Sequence, residues 1–190
     1  MSETARRRPS PEWLRLLFGT TSAGLATDVA FLVVRIVLAW VFIYYGAAKL
    51  FGAFPGDGPH GIHQTALFMS RTAHLRPGEF FAVLGGVIEL GSGIAMTLGF
   101  CARLAGLALF GDMVMAMITV SWATGINSID SPPGYQVNLA LAALALVVAL
   151  AGAGRFSIDA VITRVLGSER RVSSTKGDLA PTPRAQPPSS

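Results

Sequence analysis

Of the 190 residues, 52% are hydrophobic and only 14% are charged, and the mean hydropathy of +0.53 describes a chain whose solvent is lipid. That balance excludes a soluble globular enzyme and identifies an integral membrane protein. The net charge of +4 is scattered through tails with no folded module to present it, which excludes nucleic-acid binding.

Residues 1–28 open with Arg6, Arg7 and Arg8, followed by Trp13, Leu14, Leu16, Leu17 and Phe18. The apolar stretch is too short for a secretory signal, is broken by Arg15, and has no small-residue cleavage site. It is expected to be a cytoplasmic segment with an interfacial helix that holds Trp13 at headgroup level.

Four apolar runs follow, at 29–50, 79–99, 103–124 and 135–154. Each approaches the roughly 20 residues that a helix needs to cross about 30 Å of hydrocarbon. Their continuous Ala, Leu and Val content lacks the alternation of a membrane β-barrel. Between the first two runs, Ile62, Ala66, Leu67, Met69, Ala73 and Leu75 surround His63, Gln64, Arg71 and His74, a pattern for a short amphipathic helix on the bundle mouth. The expected fold class is therefore all-α: a four-helix transmembrane bundle over residues 29–160 with a short outer amphipathic helix between the first and second spans. Residues 161–190 are rich in Ser, Pro, Thr and Arg and read as a largely disordered cytoplasmic tail.

Lys and Arg near the membrane ends predict the orientation. Arg6, Arg7, Arg8 and Arg15 precede the first run, Arg103 opens the third, and Arg155, Arg164, Arg170, Arg171, Lys176 and Arg184 follow the fourth. Both termini are expected in the cytoplasm, with the loops at 52–78 and 125–134 on the opposite side. No inverted repeat or interrupted helix pair points to a typical secondary transporter.

Within the runs lie Arg35, Glu89 and Asp112, and charges at membrane depth are costly enough to require partners or a function. Counted from one membrane face at about 1.5 Å per residue, the three sit at roughly 9, 15 and 13 Å. Gly85, Glu89 and Gly93 recur on one helix face in a small-residue groove, and Arg35, Ala39, Phe42, Gly46 and Lys49 form another stripe. The expectation is a buried polar network of Arg35, Glu89 and Asp112 containing an Arg35–Glu89 ion pair. That network either fixes helix register or, with two acids beside one base, exchanges a proton or binds a polar headgroup.

Tyr44, Tyr45, Lys49, Trp122 and Asn138 gather near the outer ends of their spans and are candidate ligand contacts, although Tyr and Trp at that level commonly form an interfacial belt. Redox centres find little support. Cys101 is the single thiol, so there is no internal disulfide or C-x-x-C pair, and it reads as a small turn residue more readily than as a reactive centre. The three histidines, His60, His63 and His74, all lie outside the spans, which rules out bis-His haem ligation in the bundle. His60 and His63 have a metal-compatible spacing, yet Asp57 is the only obvious carboxylate partner and no metal is expected.

Arg35 through Gly46-Ala47-Ala48-Lys49, Glu89 in a Gly-rich second span, Gly99 before Arg103, and the closing Gly154-Arg155-Phe156-Ser157-Ile158-Asp159 together resemble the DoxX family of small bacterial membrane proteins, over about residues 29–160. The resemblance implies an inner-membrane protein associated with quinone-linked oxidoreductase systems, with redox-enzyme proteins, quinone and the lipid bilayer as partners. Because the chain shows no intrinsic cofactor site, such a role would be that of a non-electron-carrying subunit or scaffold with a quinone contact. The alternative function is a carrier or receptor for a lipid or small amphiphile.

Overall fold

The computed structural model describes residues 24–54, 58–126 and 134–165. The expected interfacial helix, almost all of the C-terminal tail, Asp57 and much of the 125–134 loop lie outside the described residues. All regular structure among the described residues is helical.

Helix α1 (Leu25–Phe51) begins with Asp28 in its first turn and ends at Gly52, whose left-handed backbone lets its N–H bond to the Ala48 carbonyl. Helix α2 (Gly61–Arg71) follows, then α3 (Gly78–Leu98). Gly99 stops α3 at φ 65°, where a side chain would also strike Ser157 and the Arg35 guanidinium, so both conformation and space require glycine. Helix α4 (Ala102–Ala116) continues into a π turn (Met117–Ser121) and a 3₁₀ turn (Trp122–Thr124), and α5 covers Gln136–Ala151. Residues 158–165 form a last helical segment.

Three of these segments, Leu25–Phe51, Gly78–Leu98 and Ala102–Thr124, are long and apolar enough to cross a membrane. The fourth differs from expectation. Gly152 ends α5 after 16 residues, a rise of about 24 Å, and the chain then turns back under the bundle.

Helix α1 runs antiparallel to α3, and α4 runs antiparallel to α5; α3 also meets α4, and α2 lies against α3. Glycine makes the closest crossings. A Cβ at Gly46 would lie 2.5 Å from the Leu90 backbone nitrogen, and one at Gly106 would lie 2.7 Å from the Ala145 carbonyl oxygen. Small residues in this role permit the backbone approach on which helix association in lipid depends. Gly46→Val is accordingly expected to lower stability by about 3 kcal/mol through overpacking against backbone, measured as a shift of the denaturation midpoint in mixed micelles.

Leu38, Phe42, Met96, Leu109, Met113 and Val148 fill the interior. Outward faces are equally apolar, with Val33, Val37, Trp40, Val87, Leu104 and Val147 exposed, as a bundle in hydrocarbon requires.

Candidate functional site

The expected network divides into two sites. Glu89 pairs with Lys49, whose Nζ donates to Oε1 at 2.7 Å; Arg35 is elsewhere. Arg35 donates from Nε to the Met96 carbonyl at 2.9 Å, from Nη1 to the Ala153 and Phe156 carbonyls at 2.7 and 2.8 Å, and from Nη2 to the Thr97 carbonyl at 3.3 Å. Met96 lies seven residues beyond Glu89 on α3, about 10 Å of rise.

The reason is side-chain direction. On a helix, side chains lean toward the N-terminus. Arg35 therefore leans toward the starting end of α1, Lys49 leans from the far end back into the bundle, and Glu89 on antiparallel α3 leans toward Lys49. Equal depths of Cα atoms conceal opposite directions of the functional groups.

At the starting end of α1 the arrangement is a clasp. The Asp159 carboxylate accepts hydrogen bonds from the N–H groups of Cys101 and Ala102 at 2.8 and 3.0 Å, capping the first turn of α4, and its own N–H donates to the Gly99 carbonyl. Asp28 accepts from the Arg155 N–H at 3.2 Å, and its other oxygen lies 3.8 Å from Arg155 Nε. The Gly154–Asp159 stretch that carried the family resemblance thus ties the segment after α5 to α1, α3 and α4. Asp28 escaped sequence reasoning; an acid in the first turn of the span, against an arginine just beyond the last apolar run, was the available signal.

Cys101 belongs to this clasp. Partial burial pushes its thiol above the usual range, and the Asp159 carboxylate pushes it further. At a given pH less thiolate is present than in a free thiol. Its alkylation at pH 8 is expected to be slower than that of a small free thiol and to keep rising above pH 9, as followed by mass spectrometry of the labelled protein.

The pocket end is different in kind. A cavity of about 650 Å³ opens between α1, α3, α4 and α5, with α2 over one side. Phe42, Phe81, Ile88, Leu107, Met113 and Leu141 contribute apolar wall, while Lys49, Glu89, Asp112, Ser121 and Asn138 contribute the polar groups. Glu89 is only 2% exposed, and its Oε2 is buried without a hydrogen-bond partner among the described residues. The Asp112 carboxyl is its acidic neighbour on the same cavity wall. Asn138 Nδ2 donates to Ser121 Oγ at 2.9 Å, which ties α5 to the π turn. Wider π turns recur at functional sites, and here one brings Thr119, Val120 and Ser121 to the cavity wall.

Of the candidate contacts, Tyr45, Lys49 and Asn138 line this cavity and Tyr44 and Trp122 do not. Tyr44 stacks on Phe54 with ring centroids 5.1 Å apart. Trp122 is 62% exposed and stacks on Tyr135, because the helix leaves regular α phase before reaching it. Sequence reasoning passed over Ser121, which a regular helix through 124 gave no reason to single out. Among the described residues no group of three or more His, Cys, Asp and Glu is placed to hold a metal.

These features define a small helical membrane protein with a charged, apolar-walled cavity at one end and a polar clasp at the other. The family model described as DoxX matches residues 30–122. Inner membrane protein YqjF of Escherichia coli (strain K12) is 29% identical over 139 residues, covering 72% of this chain and 95% of that protein. No solved structure matches significantly.

Proposed function

We infer that this protein is an inner-membrane receptor or carrier that takes the polar head of a membrane-soluble amphiphile into the cavity around Lys49, Glu89 and Asp112. The observation that carries the reading is an apolar-walled cavity of about 650 Å³ holding a few convergent charged groups, the usual build of a small-molecule site. The compartment is supported by the relative's name and by the apolar helices. We take α5 as a fourth crossing, since it packs along α4 through Gly106, and the Lys and Arg distribution supports cytoplasmic termini.

A second reading, a non-electron-carrying subunit or scaffold of a quinone-linked oxidoreductase system, is favoured by Tyr45, Lys49 and Asn138 on the cavity wall. Lys49, with hydrogens beyond the one given to Glu89, and Asn138 would hold a quinone carbonyl. A bound quinone would supply two-electron chemistry. Glu89 Oε2, an acceptor, would still face no donor from a carbonyl head.

The test uses Gly111, which lines the cavity and has open space beyond its missing Cβ. Wild type purified in mild detergent is expected to carry one amphiphile per chain, identified by mass spectrometry of the extract. Gly111→Trp should reduce that yield at least fivefold while the melting transition is kept. Equal yields from both proteins would overturn the reading.

A further inference from the structure

The polar end of the cavity is built from two carboxyls and one ammonium. Lys49 reaches in from α1, Glu89 from α3 and Asp112 from α4. Among the described residues, those of α2 (Thr65, Phe68 and Met69) and α5 (Val137, Asn138 and Leu141) bring no ionisable group to the cavity, and Tyr45 is the remaining titratable side chain on the wall. Lys49 is committed to Glu89 Oε1 at 2.7 Å. Glu89 Oε2 is buried and without a donor among the described residues, and Asp112, which lines the same cavity, is the neighbouring carboxyl.

With both acids ionised the site carries one negative charge in excess, inside low-dielectric walls that make it expensive to leave uncompensated. Two occupants cancel it: a single proton held between Glu89 and Asp112, or a monovalent cation whose body is apolar enough to displace no favourable wall contact. Small hydrated cations suit the walls poorly. Phe42, Tyr45, Phe68 and Phe81 add aromatic surface that favours a diffuse positive charge. A neutral head leaves the excess in place.

We propose that this cavity is a binding site for a lipophilic monovalent organic cation, such as a hydrophobic amine or quaternary ammonium, taken up at Glu89 and Asp112 in exchange for one proton. The exchange is balanced in charge: one cation enters, and the proton shared by the two carboxyls leaves to the aqueous side. The proposal rests on the amphiphile-binding reading and narrows it to one charge class.

The probes are tetraphenylphosphonium and the neutral triphenylphosphine oxide, titrated calorimetrically into the full-length protein in detergent between pH 6 and 9. Saturable binding of the cation is expected, tightening with rising pH by up to tenfold per unit. In two buffers of different ionisation enthalpy it should release about one proton per cation. Asp112→Asn should weaken binding at least tenfold and abolish the proton release. Glu89→Gln should do the same, but it disturbs the Lys49 pair, so the Asp112 variant decides if the other fails to fold. Neutral oxide binding as tightly as the cation would overturn the charge selectivity and leave the amphiphile reading standing. Absence of saturable binding by either probe would overturn both.

Discussion

Lys49→Met is expected to lower stability by about 3 kcal/mol, and the double variant Lys49→Met/Glu89→Gln to recover most of that loss. The reasoning is asymmetric. Removing the ammonium leaves the carboxylate of Glu89, 2% exposed, without its 2.7 Å donor, and an orphaned buried charge costs more than the intact pair contributes. Lys49 keeps some solvent access, with its side chain 22% exposed, which places the loss at the lower end of the range for buried pairs. Removing both charges trades an ion pair for neutral groups of similar size and leaves only packing differences. Denaturant titration in mixed micelles of wild type, both single variants and the double variant closes the cycle. Losses that simply add would show that the two residues do not stabilise one another.

Arg35→Leu should cost about 4 kcal/mol, because one guanidinium serves the carbonyls of Met96, Thr97, Ala153 and Phe156. Those acceptors come from two separate stretches of chain. A guanidinium spans them with its forked donors, whereas an ammonium presents three donors from a single point, so Arg35→Lys is expected to restore less than half of the loss. Arg35→Leu combined with Glu89→Gln should be additive within about 0.5 kcal/mol, since the two side chains share no partner. A coupling energy above about 1 kcal/mol in the same micelle titrations would contradict the separation of the two sites.

How much of this was legible beforehand depends on what each inference measured. Runs of apolar residues located α1, α3 and α4 to within a few positions, because length and hydropathy are what a bilayer selects. Of the glycine stripes, Gly46 and Gly93 lie where α1 and α3 approach, as small residues in lipid permit, whereas Gly85 faces Asp112 of α4. Partner assignment went astray because Cα depth was counted and side-chain lean was not. Arg35 and Lys49, on one stripe of one helix, serve opposite ends of the molecule. The end of α5 was misplaced for a different reason: Gly152, Ala153 and Gly154 are as apolar as the span itself, and hydropathy is blind to a turn. Trp122 lies off the cavity wall and exposed, beyond a π turn that leaves no trace in composition.

The clasp around Arg35 also orders events during synthesis. Arg35 enters the membrane with the first helix to be made among those described, yet two of its acceptors, the carbonyls of Ala153 and Phe156, lie 118 and 121 residues later in the chain. Until the ribosome has delivered that last turn, the first helix sits in the bilayer with an arginine whose final contacts do not yet exist. Arrival of residues 153–156 is what locks the first of these helices, so a ribosome stalled before residue 153 would leave helices inserted and the bundle unlatched.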